Sequence, residues 1–415
     1  MILPLQDERE AVSWRIETLS DLNAIHRHAA DWQALELECS DPYAAFQSYA
    51  WCEAWVASFC TPSAGRETGA ANETEQAMEG PRQPVVQLIY QNELLIGILP
   101  LMMTRHRGAR VLSMLGEPHS QIASVLMRKN VDCYDGLRLS LEMAQEACRC
   151  DLVSIGPLPE NNVLLDIFDS QHLTNDPAIE MSLVSWPKIW QVSDYVAQLS
   201  KNRRKDFNRK LRMLQQMGTP RHQHFYAGDE KFDALVRWSV EQKIKWLQCK
   251  GIYSHGLTHE GLDDFLSKVR GQKGGFELEV EALFLGDKVI ASNINLVGKG
   301  VRQCYLSAYD PQFEIVSVGT LLHQYSIRSA IEDGYGGMNY LGHPTLFKSM
   351  WAKEKIQLLR YQKAHTSRGR IWLSLWLQTV RPAVKASLTR LRFLAGLPVV
   401  GPVFGRILST HVQGS

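Results

Sequence analysis

Between Phe276 and Tyr309 the chain runs through three strands in succession, and this stretch limits its fold more than any other. Phe276–Leu285, Lys288–Val297 and Val301–Tyr309 are apolar runs rich in β-branched and aromatic residues, parted only by Gly286-Asp287 and Gly298-Lys299-Gly300. Connections that short and glycine-rich make the three an antiparallel meander. A helix is predicted next, from about Gly319 to Asp333, then a strand at Met338–Leu341 and a last strand region at about Ile356–Ala364. Strands and helices in this mixture predict a mixed α/β fold.

The pattern upstream is of the same kind. Trp32, Leu35, Trp51, Trp55 and Phe59 recur at helical spacing, with an interruption near Asp41-Pro42. The segment 61–84 holds glycines, prolines and small polar residues with almost no large apolar side chain, and is predicted to be a mobile loop. Val85–Thr104 reads as a hairpin turning at Gln91-Asn92-Glu93. Short strands follow at Val111–Leu115 and Leu152–Ile155 with a helix between them at about Leu139–Cys150. Near Ser182 the pattern restarts, with Ser193 a candidate N-cap for a short helix through Leu199. Helices are then predicted at about Asn202–Met217, Lys231–Cys249 and Leu262–Val269.

With 45% hydrophobic and 21% charged residues over 415 positions, the chain is an ordinary globular one, and a net charge of +1 gives no global pull toward nucleic acid. Its 8 cysteines form no C-x-x-C pair, which suits free thiols in a reducing compartment. Asp7, Glu8 and Glu10 stand where a secretory leader would be basic, and no run approaches the ~20 apolar residues of a spanning helix. A cytoplasmic location is expected.

Three constellations can carry chemistry. On the strand Val301–Tyr309, Tyr305, Ser307 and Tyr309 are expected on one face and Cys304, Leu306 and Ala308 on the other. The chain then enters a helix at Ser317-Val318-Gly319-Thr320. Free amide N–H groups at a helix start can hold a pyrophosphate, and Gly319 lets a phosphate approach the backbone. A plain strand-to-helix turn is the competing reading. The second constellation is Gly342 to Trp351. There His343 and Lys348 follow a strand and stand at a sheet rim, where a lysine can neutralise a phosphate or an oxyanion, or can lie solvated beside aromatics. The third is the helix bearing Lys201, Arg203, Arg204, Lys205, Arg209, Lys210 and Arg212. Its apolar face is expected to be Phe207, Leu211, Leu214 and Met217, and its cations suit a polyanion as well as a solvated surface.

For a general base toward an amine the candidates are Glu279, Glu281 and Asp310. Glu279 and Glu281 alternate with Leu278 and Val280, and solvent-facing positions are expected for both. The pairs His222/His224 and His255/His259 have no cysteine or carboxylate cluster beside them in sequence, so no metal is expected. No P-loop, dinucleotide fingerprint or nucleophile elbow is present.

The order of these features resembles the GNAT-type acetyltransferases of bacterial cellulose and exopolysaccharide synthesis, the CelD-like proteins, which are related to the Fem peptidyltransferases. The matching pieces in the first half are Trp32–Leu35, Phe46–Trp51 with Trp55, and the hairpin ending Leu99-Pro100-Leu101. In the second half they are the basic helix, the meander, Ser317–Thr320, Gly342, Phe347-Lys348 and Trp351. The resemblance implies a tandem of two GNAT-like domains, 1–180 and 181–365, followed by a basic amphipathic helical tail at 366–415. It also implies that acyl-CoA, acetyl-CoA foremost, lies where Val301–Tyr309 and Met338–Leu341 splay apart, its pyrophosphate on the amides of Val318, Gly319 and Thr320 beside Ser317. Lys348 would support the acceptor or the oxyanion, Tyr305 or Tyr309 would protonate the thiolate, and Glu281 would be a base. Arg203, Arg204, Phe347 and His343 would bind the acceptor, a polysaccharide or envelope precursor. The family's pyrophosphate run begins with Gln or Arg; here Glu314 takes that place, which leaves another activated acyl donor open.

Two alternatives stand beside this. One is a transferase drawing on aminoacyl-tRNA, favoured by the basic helix. The other is a non-enzymatic assembly factor at the inner-membrane surface. The tail from Thr366 to Ser415 has arginines and lysine between Trp372, Leu375, Trp376, Leu388 and Phe393, and no acid. Such a segment can lie in a lipid interface or pack on its own protein.

Overall fold

The computed structural model describes residues 12–374 apart from 61–80, 107, 253, 255, 258–260, 343–347, 349–350 and 353. The strands are β1 (Trp14–Leu19), β2 (Gln83–Gln91), β3 (Leu94–His106), β4 (Ala109–Met114), β5 (Leu126–Met127), β6 (Leu152–Pro159), β7 (Leu173–Ser185), β8 (Pro220–Tyr226), β9 (Phe276–Leu285), β10 (Lys288–Gly298), β11 (Val301–Tyr309), β12 (Gly337–Tyr340) and β13 (Glu354–Ala364). They join in a single sheet ordered β1-β2-β3-β4-β6-β13-β7-β12-β11-β10-β9-β8, with β5 paired to β3. The fold is mixed α/β around a mostly antiparallel sheet, built as a tandem.

Each half repeats one plan. β1 to β4 form an antiparallel meander whose last strand lies parallel to β6, and β8 to β11 form another whose last strand lies parallel to β12. The chain then exchanges its ends. β7 follows β6 in sequence but pairs with β12 and β13; β13 follows β12 but pairs with β6 and β7. The domain boundary expected at 180/181 lies inside β7.

The largest core cluster also spans the halves. Trp32, Phe46, Trp51 and Trp55 pack with Phe265, Phe276 and Tyr305. The Trp51 ring meets Phe265 edge-on at 4.8 Å and Tyr305 at 5.5 Å. On the opposite face of the second half, the helix Val318–Glu332 covers the sheet through Leu321, Leu322, Ile327 and Ile331.

The meander strands and the helices at Lys201–Met217, Phe232–Cys249, Leu262–Lys268 and Val318–Glu332 lie close to their expected places. Other expectations are corrected. The helix at 192–198 is capped by Gln191 with Asp194 in a capping box, so Ser193 lies inside it. Met217 is half exposed and Leu211 only partly buried, leaving Phe207 and Leu214 as the buried face of the basic helix. β1, β7 and β8 were not expected. At the tail, Trp372 is buried against Ala109, Val111 and Leu152, and Thr366 Oγ1 donates to Asp151 Oδ1 at 2.7 Å. The tail's first turn therefore packs on its own protein; the rest lies outside the described residues. No helix among the described residues is long and apolar enough to cross a membrane.

One buried carboxylate ties the halves directly. Glu36, 1% exposed, accepts from Phe276 N–H at 2.7 Å and from Tyr49 N–H at 3.1 Å. Burial pushes its pKa up, and those two amides and Lys299 oppose the shift. Glu36→Ala strands two buried donors and is expected to lower the unfolding free energy by about 3 kcal/mol in a urea titration.

Candidate active site

β11 and β12 pair only from Val301↔Gly337 to Cys304↔Tyr340. Beyond Cys304, β11 continues to pair with β10 but has no neighbour on its other side among the described residues. The parting of the two strands there forms a wedge. In the first half the equivalent space beyond the β4–β6 pairs is filled: Ala123 N–H donates to Pro157 O at 2.6 Å, Asn162 Nδ2 donates to Ser124 Oγ at 2.9 Å, and Ile122, Ala123 and Ser124 are buried.

At the wedge, β11 carries an extra residue. Ile294 pairs with Leu306 and Asn295 with Cys304, so Tyr305 is a bulge. The bulge overturns the expected grouping of Tyr305 with Ser307 and Tyr309. Tyr305 packs into the inter-half core against Phe46 and Trp51, while Cys304 Sγ lies 3.2 Å from Ser307 Oγ on the other face and Tyr309 packs near Phe313 and Leu322. Burial pushes the Tyr305 phenol well up, away from acid duty at neutral pH. Gln121, from the filled loop of the first half, donates through Nε2 to Tyr305 O at 3.4 Å. Its Oε1 lies 3.2 Å from where a Cβ on Gly342 would sit, and Lys348 Nζ is 3.6 Å from that same point. Gly342 has φ +81°, a left-handed conformation that glycine takes without strain.

Lys348 is the cation the sequence placed at this rim, and the structure puts it there, its Nζ donating to Leu341 O. Burial pushes its pKa down to about 8; Cys304 opposes this and the like charge of Lys243 adds to it. Lys243, from the helix Phe232–Cys249, is itself lowered by burial, and sequence reading gave no signal for it. Phe347 and His343 lie outside the described residues. Arg203 and Arg204 are exposed at the start of the basic helix, with Arg203 5.7 Å over the Trp351 ring.

At the start of the helix Val318–Glu332, Ser317 is the N-cap in a left-handed conformation, φ 51°. Thr320 N–H donates back to Ser317 O at 2.8 Å, so that amide is used within the turn. The amides of Val318 and Gly319 have no partner among the described residues, the first turn has no acid, and Glu314 is exposed. A Cβ on Gly319 would meet only Tyr309 Cδ1, at 3.7 Å. The two amides and the open glycine fit a phosphate; Thr320 does not add a third donor.

Glu279 and Glu281 are the largest correction. Both are 0% exposed, under the helix Val318–Glu332 rather than in solvent. His224 Nδ1 and Tyr226 OH reach Glu279 Oε1 at 2.8 and 2.9 Å, and His222 Nε2 reaches Glu281 Oε1 at 2.8 Å. Arg302, also 0% exposed, closes on Glu279 at 3.1 Å and on Asp333 at 3.0 Å and donates to Ser326 O at 2.8 Å. Burial would raise the Glu281 pKa, but the His222 hydrogen bond and the Arg302 charge outweigh it and hold the carboxyl well below the usual range. Glu281 is thereby committed to this network and is a poor base for a bound amine. The carboxylates that His222 and His224 lacked in sequence come from the neighbouring strand.

Residues 201–349 match the family model described as an acetyltransferase (GNAT) domain. Over those residues the chain is similar to a GNAT acetyltransferase domain, and this match, with two parallel strands that part beside a helix start, supports an acyltransferase. Among solved structures, FemX superposes with a TM-score of 0.51 at 10% identity, covering 83% of this chain and 98% of FemX, and the two share the fold. A tandem GNAT protein from the clavulanic acid biosynthesis pathway gives 0.44 at 8% identity, covering 85% of this chain and 98% of its own. The C-terminal domain of a putative lysylphosphatidylglycerol synthetase from Agrobacterium fabrum gives 0.43 at 13% identity, covering 64% and 80%. No curated protein matches the sequence significantly.

Arg302 is the one fully buried cation facing Glu279 and Glu281 among the described residues. Arg302→Met leaves those charges uncompensated and is expected to cost about 3–5 kcal/mol of stability, read from denaturant unfolding.

Proposed function

We propose that the protein moves an acyl group, acetyl foremost, from acyl-CoA to an amine, or else a hydroxyl, of a polysaccharide or envelope precursor, at the wedge between β11 and β12. The observation that carries this reading is the nearness of that wedge to the amides of Val318 and Gly319, which have no partner among the described residues. Acyl-CoA supplies a thioester carbon open to attack. The acceptor amine forms the new C–N bond, the C–S bond breaks, and CoA leaves as the thiolate. Lys348, in its neutral form, takes the proton the amine must lose. Its lowered pKa supports this role: at pH 7 about one lysine in ten is neutral, and half are at pH 8. The polysaccharide or envelope acceptor rests on the resemblance to the CelD-like proteins.

Calorimetric titration with acetyl-CoA tests the donor. Wild type and Gly319→Ala are expected to bind, since a Cβ fits at this position, and Gly319→Trp to lose binding. No binding to wild type, or equal binding to Gly319→Trp, removes the site. With an amine acceptor, the rate is expected to rise with pH toward a plateau above about 8, and Lys348→Met to lose that inflection and about 10²–10⁴-fold in rate.

A second reading, an aminoacyl-tRNA donor, is favoured by the exposed Lys201, Arg203, Arg204, Lys205, Arg209 and Arg212 on one helix. It requires tRNA binding that falls steeply with salt and that weakens in Arg203→Ala/Arg204→Ala. Absence of tRNA binding at low salt excludes it. Contact of the tail beyond Ser374 with a membrane surface is a compatible proposal, supported by the absence of acid from Thr366 to Ser415.

A further inference from the structure

β8 closes the sheet at one end, with β9 its sole neighbour among the described residues, three places from the wedge strand β11. His222 and His224 project from one face of β8, as residues two apart in a strand must, and meet Glu279 and Glu281 projecting from β9. The ligand atoms of His222, His224 and Glu281 all lie within 4.8 Å of one another. We propose that these three residues bind one divalent transition-metal ion of the zinc class, at a site separate from the acyl-transfer wedge.

Three observations carry this. The first is charge. Two fully buried carboxylates face a single buried guanidinium, and Arg302 is spent on Glu279, Asp333 and the Ser326 carbonyl. Glu281 is contacted instead by His222, Asn293 and Ser329, none of which carries a fixed positive charge. Two buried carboxylates that share one guanidinium leave an excess of negative charge, which is costly, and a bound cation offsets it.

The second is preparation. Asn293 Nδ2 donates to Glu281 Oε2 at 3.1 Å and Asn295 Nδ2 to Glu279 Oε2 at 2.9 Å, so each carboxylate has one oxygen fixed and the other turned to a histidine. The Asn293 and Asn295 carbonyl oxygens are buried without a partner among the described residues, adding electronegative atoms beside the cluster. The His222 ring is fixed by stacking on Tyr325 at 5.1 Å. Outer contacts of this kind orient metal ligands before the ion arrives.

The third is access and ligand type. The His222 and His224 side chains are 13% and 24% exposed, so an ion can enter from the edge and keep a solvent position. Two imidazoles and one carboxylate select zinc, cobalt or nickel over calcium or magnesium. The ion would staple β8 to β9 at the sheet's open end.

Titration of the full chain with Co²⁺, followed by visible absorption and equilibrium dialysis, tests the site. Saturable uptake of one ion per chain is expected, with a spectrum of nitrogen and oxygen ligands, displacement by Zn²⁺, and a rise in unfolding temperature reversed by EDTA. His222→Gln and His224→Gln are each expected to weaken uptake at least tenfold. Three results overturn the proposal: no saturable uptake by wild type at micromolar ion, a thiolate-to-cobalt band placing the ion on a cysteine, or uptake unchanged in both variants. The wild-type titration decides even where a variant does not fold.

Discussion

The exchange of β7 and β13 is the constraint from which the rest of the molecule follows. Neither half completes its own sheet: β6 is flanked by a strand from the end of the chain, and β12 by one from the middle. The ladder between β7 and β13 makes a single sheet of two meanders, so opening one half means breaking backbone hydrogen bonds of the other. Because the halves cannot slide on each other, the core between them can be aromatic and tight, with Trp51 set against Phe265 and Tyr305. A buried carboxylate such as Glu36 can also be held at fixed distance by amides from Tyr49 and Phe276, far apart in sequence.

The same rigidity accounts for an unequal division of labour. The two halves have the same parallel-strand plan, and each plan leaves a gap where its strands diverge. In the first half the chain turns back and fills its own gap with Ile122–Ser124. In doing so it carries Gln121 across to Tyr305 O and Gly342 at the gap of the second half. Trp51 Nε1–H on Ser120 Oγ at 3.0 Å and Trp55 Nε1–H on His119 Nδ1 at 3.0 Å hold this loop in place. The first half has become a wall for the second half's wedge.

What sequence could reveal follows from the range of each interaction. The meander boundaries at Phe276–Leu285 and Val301–Tyr309 were legible because period-two patterning and glycine turns are local signals. The exchange of β7 and β13 was not: β13 was expected as a strand and β7 was not, and pairing across more than a hundred residues leaves no local trace. β8 escaped notice because its sequence, Pro220-Arg221-His222-Gln223-His224-Phe225-Tyr226, alternates among polar residues whose partners lie on β9. Glu279 and Glu281 were read as solvent-facing because a charge on a strand usually is. Arg302, two strands away, reverses that, and only cross-strand register shows it. Lys348 and the helix start at Ser317–Thr320 were singled out because each follows a strand in sequence, while the bulge that turns Tyr305 to the other face has no sequence signature.

These placements decide which group can move a proton at the wedge. A base must be neutralisable near working pH and must not already be held by a stronger partner. Glu281 meets neither condition: His222, Asn293 and Ser329 occupy its oxygens, and the charge of Arg302 favours the ionised form so strongly that its affinity for a proton is small. Tyr305 is held protonated by burial, with its ring in an aromatic core. Lys348 alone among the candidate residues combines a place beside Gly342 with a pKa brought down to about 8, because burial removes water from its ammonium and the like charge of Lys243 adds to that effect. The same desolvation that makes the lysine costly to bury makes it a usable base, so on the proposed reading proton transfer falls to Lys348 at the wedge, and the carboxylates under the helix Val318–Glu332 stay bound in their own network.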